Sequence, residues 1–216
     1  MKTGTKFIMS GVMALLTAVL IFLLKNVDIR MVGPWDKSIG LSHINRACFH
    51  GFSRSWYNIT SYIGLIALAI AGVFALMGLI QLIRRRSILK VDNEILSMGF
   101  LYVAVVFIYV LFNKIKINYR PIIIPGTPGP EVSFPSSHTM LTVVIVLSAI
   151  MVMKKYITIK PLRYVLNAIG SVMILVMLYG RIASGVHWFT DVLGSVLLSA
   201  MLLFLFSGIL DIFSEE

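Results

Sequence analysis

Three short polar clusters interrupt an otherwise apolar chain, and each holds residues suited to handling a phosphoryl group: Asn118-Tyr119-Arg120-Pro121, Pro135-Ser136-Ser137-His138, and Arg181-x5-His187-x3-Asp191. Guanidinium groups match phosphate oxygens in bidentate geometry. One imidazole can attack phosphorus while another protonates the leaving oxygen. His187 and Asp191, four residues apart, share a face if they lie on a helix, so the carboxylate can hold one ring nitrogen protonated and leave the other free as a nucleophile. Read blandly, the same spacing is a surface His-Asp pair flanked by the interface aromatics Trp188 and Phe189.

Ser136 and Ser137 sit where a helix would begin, with Pro135 ahead of them, and the free amides of a helix start attract anions. Phosphate can rest on those amides with His138 beside it, placed to protonate the departing oxygen. A capped helix explains the serines equally well, but not a histidine at a membrane edge. Arg120 offers a second grip on phosphate; for Lys116, contact with lipid headgroups is the simpler reading.

The elements that must position these clusters are membrane spans. Of 216 residues, 58% are hydrophobic and 13% charged, about half the charge of a typical soluble domain. Apolar stretches run over 7–24, 62–83, 95–112, 164–180 and 192–210, each near the length that crosses a bilayer. A sixth, 140–153, is long enough if its helix starts at Ser136 or Ser137. The expectation is an all-α, six-transmembrane bundle forming a single domain over 1–216. Within it, 25–57 is an outer interfacial loop and 114–191 carries the three clusters. Lys2 and Lys6 ahead of the first apolar run resemble a secretory signal, but the run is long and Lys25-Asn26-Val27 is no cleavage pattern, so a retained anchor is expected.

The net charge of +10 does not mark a nucleic-acid binder, because the basic residues are spread over short loops with no basic domain. Tight clusters at Lys2/Lys6, Arg84–Arg86/Lys90 and Lys154/Lys155/Lys160/Arg163 instead place those segments and both termini in the cytoplasm. All three polar clusters then face outward. The 25–57 loop, with Pro34, Trp35 and Trp56, reads as a connector with aromatic anchors, or else as a lid. Cys48 is the lone cysteine, which excludes an internal disulfide. His43 and His50 lack partners at metal-ligand spacing.

The three clusters, in this order, resemble the signature of the type 2 phosphatidic acid phosphatase superfamily: K-x6-R-P, then P-S-G-H, then S-R-x5-H-x3-D. The resemblance implies a six-span membrane lipid phosphatase. It implies that His187 forms a phosphohistidine, Asp191 orients it, and His138 is the general acid. Arg120, Arg181, Ser136 and Ser137 would bind phosphate. Three positions depart from the pattern. Asn113 stands seven residues before Arg120 where the family has Lys, with Lys114 one position late; Ser137 replaces Gly, and Gly180 replaces Ser. Lys114 or Asn113 would then have to serve at the lysine position.

The resulting expectation is hydrolysis of a lipid phosphate ester or diphosphate on the extracytoplasmic face, without metal or cofactor. Undecaprenyl diphosphate is placed first, with phosphatidate and phosphatidylglycerol phosphate next, and membrane lipids surround the protein. The alternatives are a transporter or channel using Arg181, His187 and Asp191 as an ion path, and a relative of the vanadate-dependent haloperoxidases, which share the fingerprint but are soluble.

Overall fold

The computed structural model describes residues 1–32, 37–124 and 129–215; Pro34 and Trp35, expected as loop anchors, lie outside them. Among the described residues, six helices are long and apolar enough to cross a membrane: α1 (Thr3–Asn26), α3 (Arg54–Arg85), α4 (Asn93–Lys114), α5 (Ser137–Tyr156), α6 (Lys160–Ala183) and α7 (Phe189–Glu215). They form a transmembrane bundle. Large apolar side chains such as Leu65, Val73, Phe100, Phe107 and Leu175 are more than half exposed, as expected where the solvent is lipid. The core lies inside α4, α5 and α7, where Met98, Val105, Phe112, Met140, Val144, Leu198 and Phe206 pack together.

Helix α5 starts at Ser137, so the short apolar stretch gains its length from the serine cluster. Helix α3 begins eight residues before its apolar run, at Arg54, and this extra length carries Trp56, Tyr57 and Thr60 up to the level of the polar clusters. Small residues let the helices approach there. A Cβ on Gly180 of α6 would lie 2.5 Å from the Thr60 methyl and 3.0 Å from the Trp56 ring, and one on Gly194 of α7 would lie 2.2 Å from the Phe134 ring.

The outer loop has structure of its own: strands β1 (Arg30–Val32) and β2 (Lys37–Ile39), paired antiparallel, and the short helix α2 (Ser42–Ala47). Besides connecting two spans, it bonds to two of the polar clusters. Asn45 accepts a hydrogen bond from the Thr190 amide and donates to the Gly40 carbonyl, while the Gly40 amide donates to the Asn118 side chain. Gly185, at φ +69°, abuts the loop so closely that a Cβ would fall 2.2 Å from the Gly51 carbonyl oxygen. Glycine is therefore required there both for its left-handed backbone and for its missing side chain.

Candidate active site

Asp191 lies in the first turn of α7. Its Oδ2 accepts the Trp188 amide at 2.9 Å and its Oδ1 accepts Asn118 Nδ2 at 3.3 Å. A carboxylate reaching back to an amide at the helix start is the geometry of a capping box, and it also complements the positive end of the helix dipole. This commitment corrects the expected His-Asp hydrogen bond. His187 Nδ1 is 3.6 Å from Asp191 Oδ2 but 3.0 Å from the Ser133 carbonyl oxygen, so the backbone carbonyl takes the ring proton and Asp191 stands just behind it.

The other face of the ring meets Arg120, whose Nη1 is 3.2 Å from His187 Nε2. A guanidinium only donates, so Nε2 must present its lone pair and Nδ1 must carry the proton. That is the tautomer a nucleophilic histidine needs. His187 is 3% exposed; burial first, then the positive charges of Arg181, Arg120 and His138, hold its pKa well below the ordinary 6.5, against a smaller opposing effect of the Ser133 carbonyl. The imidazole is neutral at physiological pH.

Arg120 is placed by a short antiparallel pairing. Tyr119 bridges Val132, the Arg120 amide donates to the Glu131 carbonyl, and the Ser133 amide donates to the Asn118 carbonyl. Arg120 and Ser133 thereby come to opposite edges of His187. The Trp188 indole donates to the Tyr119 carbonyl at 2.6 Å, tying this pairing to α7, and Arg120 Nη1 also donates to the Val186 carbonyl at 3.1 Å.

Arg181 ends α6 almost fully buried, at 1% exposure. Its Nη1 donates to Thr60 Oγ1 at 3.1 Å, its guanidinium carbon is 5.7 Å from the Tyr57 ring centre, and its Nε has no hydrogen-bond partner among the described residues. A buried cation with a free donor is set to receive an anion. The departure at Gly180 has a steric reason, since Trp56 and Thr60 fill the space a serine side chain would need. His138, in the first turn of α5, packs its ring against α3 at Gly64, where a Cβ would lie 3.1 Å from His138 Cδ2.

The two serines separate in role. Ser136 is fully buried; its amide donates to the Asp191 carbonyl at 3.3 Å, and its own carbonyl accepts Ser195 Oγ at 2.9 Å. Its amide is thus engaged in joining α5 to α7, which corrects its expected role in binding phosphate. Ser137 instead lines a 340 Å³ cavity together with His187, Arg120, Glu131, Asn113 and Tyr109. At the lysine position it is Asn113 that reaches this cavity, with its Nδ2 donating to the Tyr109 carbonyl at 2.9 Å. Lys114, about 100° further round the helix, is exposed and is not part of the lining.

Sequence reasoning does not assign functions to Asn118, Asn45, Thr60 or the Ser133 carbonyl. Asn118 stands inside a noted polar cluster, and its full burial between Gly40 and Asp191 is what marks it. Thr60 lies next to an apolar stretch and gives no signal, while a backbone carbonyl gives none in any sequence.

The family model of the PAP2 superfamily matches residues 95–212. Comparison with curated proteins gives no match. Among solved structures, the crystal structure of a transmembrane PAP2-type phosphatidylglycerolphosphate phosphatase from Bacillus subtilis is similar, with 17% identity and a TM-score of 0.66 over 94% of this chain and 96% of that one. At that identity the likeness is one of fold.

Proposed function

Because the chain belongs to the PAP2 superfamily, we propose that it is a membrane lipid phosphatase working through a phosphohistidine on His187. The observation that carries this reading is the fixed tautomer of His187, with its Nδ1 proton held by the Ser133 carbonyl and its Nε2 lone pair facing Arg120 at the cavity wall. An incoming phosphate displaces Arg120 from Nε2 and takes the guanidinium for its own oxygens. Arg181, with its unpartnered Nε, supplies the second grip from below.

Nε2 attacks phosphorus as the ester P–O bond breaks, and His138 gives its proton to the departing oxygen. Water then attacks the phosphohistidine, losing a proton to His138, and the P–N bond breaks to release inorganic phosphate and restore His187. Asp191, 3.6 Å behind Nδ1, stabilises the positive charge that develops on the ring. Fixed guanidinium charge offsets the charge of the five-coordinate phosphorus, so the reaction needs no metal.

The basic clusters put the termini in the cytoplasm and the site outside. A cysteine at the exposed Lys116, in a chain with Cys48 replaced, reacts with an impermeant thiol reagent in intact cells under this topology; reaction only after permeabilisation inverts it. Substrate candidates are undecaprenyl diphosphate, phosphatidate and phosphatidylglycerol phosphate, the last being the lipid for which the similar Bacillus subtilis phosphatase is named. The deciding assay is phosphate release by the purified protein in detergent from these three lipids, with EDTA and with vanadate. Release that resists EDTA and is competitively inhibited by vanadate is expected. No release from any lipid, or loss with EDTA and recovery with magnesium, overturns the mechanism.

A further inference from the structure

The cavity at His187 is larger than one phosphate fills, and the charge of its outer part is unusual for a site that takes anions. It extends over 340 Å³ from His187 and Ser137 to Tyr109 and Asn113 of α4 and to Glu131. Among its described lining residues the charged side chains are Arg120 and Glu131, and these two are already paired, Arg120 Nε to Glu131 Oε2 at 2.9 Å. The pairing is built into the backbone, because the Arg120 amide donates to the Glu131 carbonyl beside the Tyr119–Val132 bridge. Glu131 is the more exposed partner, at 42% against 15% for Arg120. With Asn113 at the lysine position and His187 neutral, the described lining carries no surplus positive charge. The remaining cation of the proposed site, Arg181, is buried and is not among the described lining.

A lipid phosphate monoester brings a single phosphoryl group, which sits against His187 between Arg120 and Arg181. A lipid diphosphate brings a second anionic phosphate to a site whose described cavity lining offers a carboxylate and a neutral amide but no cation besides Arg120. Like charges facing each other across a site are a common means of rejecting a wrong ligand. Resting on the phosphatase reading above, we propose that Glu131 is a specificity-determining residue whose carboxylate turns lipid diphosphates away, so that the site takes lipid phosphate monoesters. This reverses the order of substrates suggested by sequence, in which undecaprenyl diphosphate stands first.

The test is the ratio of kcat/KM for a long-chain prenyl diphosphate to that for phosphatidate, measured by phosphate release in one detergent. It is applied to the unsubstituted protein, Glu131→Gln, Glu131→Asp, Asn113→Lys and the Glu131→Gln/Asn113→Lys double variant. Gln keeps an oxygen for Arg120 Nε while removing the charge. The ratio is expected to rise roughly tenfold in Glu131→Gln, by a similar factor in Asn113→Lys, and further in the double variant, while Glu131→Asp keeps the original ratio. If Glu131→Gln lowers both substrates by the same factor, Glu131 serves only to hold Arg120 and the proposal is wrong; a ratio that does not respond to either charge change overturns it as well. Lack of release from both lipids by the unsubstituted protein removes the phosphatase reading together with this one.

Discussion

At the end of the bundle away from the site, Asp92 accepts hydrogen bonds from Arg85, Gln81 and Tyr156, with Lys155 3.7 Å away, while Lys6 pairs with Asp211 at 2.7 Å. At the proposed catalytic end, Arg181 is buried against a threonine hydroxyl and a tyrosine ring, with one donor unpartnered among the described residues. The far end ties α3, α4 and α5 together with groups that satisfy one another. The proposed catalytic end holds a buried cation, Arg181, with one donor that has no partner among the described residues. Stability is therefore expected to reside in the first region and activity in the second.

The sharpest break of this comparison comes at the proposed nucleophile. His187→Ala is expected to lower the rate of phosphate release by roughly 10⁴-fold or more while leaving the thermal midpoint in detergent close to that of the parent; comparable losses of stability and turnover would show that His187 is mainly structural. Asp191→Asn comes next. An amide must turn its NH₂ toward either the Trp188 amide or the Asn118 side chain, both of which donate, so a loss of about 10²–10⁴-fold is expected, here accompanied by a fall in the midpoint because the helix start is disturbed.

Arg181→Met separates the two properties further. It removes a buried cation with an unpartnered donor, so turnover should fall by roughly 10²–10³-fold while the midpoint stays level or rises. A fall in the midpoint would mean that Arg181 is a structural tie like those at the far end. Asp92→Asn is the converse and the smallest change. It should cost about 1–3 kcal/mol of stability, with kcat and KM retained.

Acid should act differently on the two regions. Burial favours protonation of Asp92, but the donors Arg85, Gln81 and Tyr156 and the charge of Lys155 outweigh it and lower the pKa from 3.8 to about 2. Its stabilising contribution is complete above 3.8 and is lost as pH falls through about 2. His187, depressed well below 6.5, stays neutral and nucleophilic as pH drops below 6.5, where the unfolded chain would already take up the proton. The acidic limb of kcat/KM is thus expected below pH 6.5, and stability should decline from 6.5 downward before the Asp92 ties fail. An acidic limb at or above 6.5 would contradict the buried, cation-flanked setting of the nucleophile.

The spans and the three clusters are legible in the sequence because both follow from local rules. Lipid exposure forces long apolar runs, and the chemistry forces Arg, His and Asp at fixed offsets. Even the start of α5 can be read from Ser136-Ser137. The supports are not legible, because they depend on tertiary approach. Asp191 looks like the partner of His187 in one dimension, but Asn118 arrives from 73 positions away to share its carboxylate. Likewise Ser136 looks like a phosphate cradle until the Asp191 carbonyl closes on its amide, and the 25–57 loop looks like a connector because nothing local shows Asn45 capping Thr190.

The ties between α1 and α7 also bear on the order in which the protein is made. Thr3 and Lys6 bond Asp211, and Ser10 bonds the Met201 carbonyl, so α1 leaves the ribosome five spans ahead of the helix it must pair with. Until α7 arrives, α1 must wait in lipid with Ser10 and Lys6 lacking these partners. The same late helix carries Asp191 and follows directly on His187, so the bundle closes and the proposed nucleophile is seated in one event. On the proposed mechanism, a chain halted during synthesis before α7 would be both loosely assembled and inert.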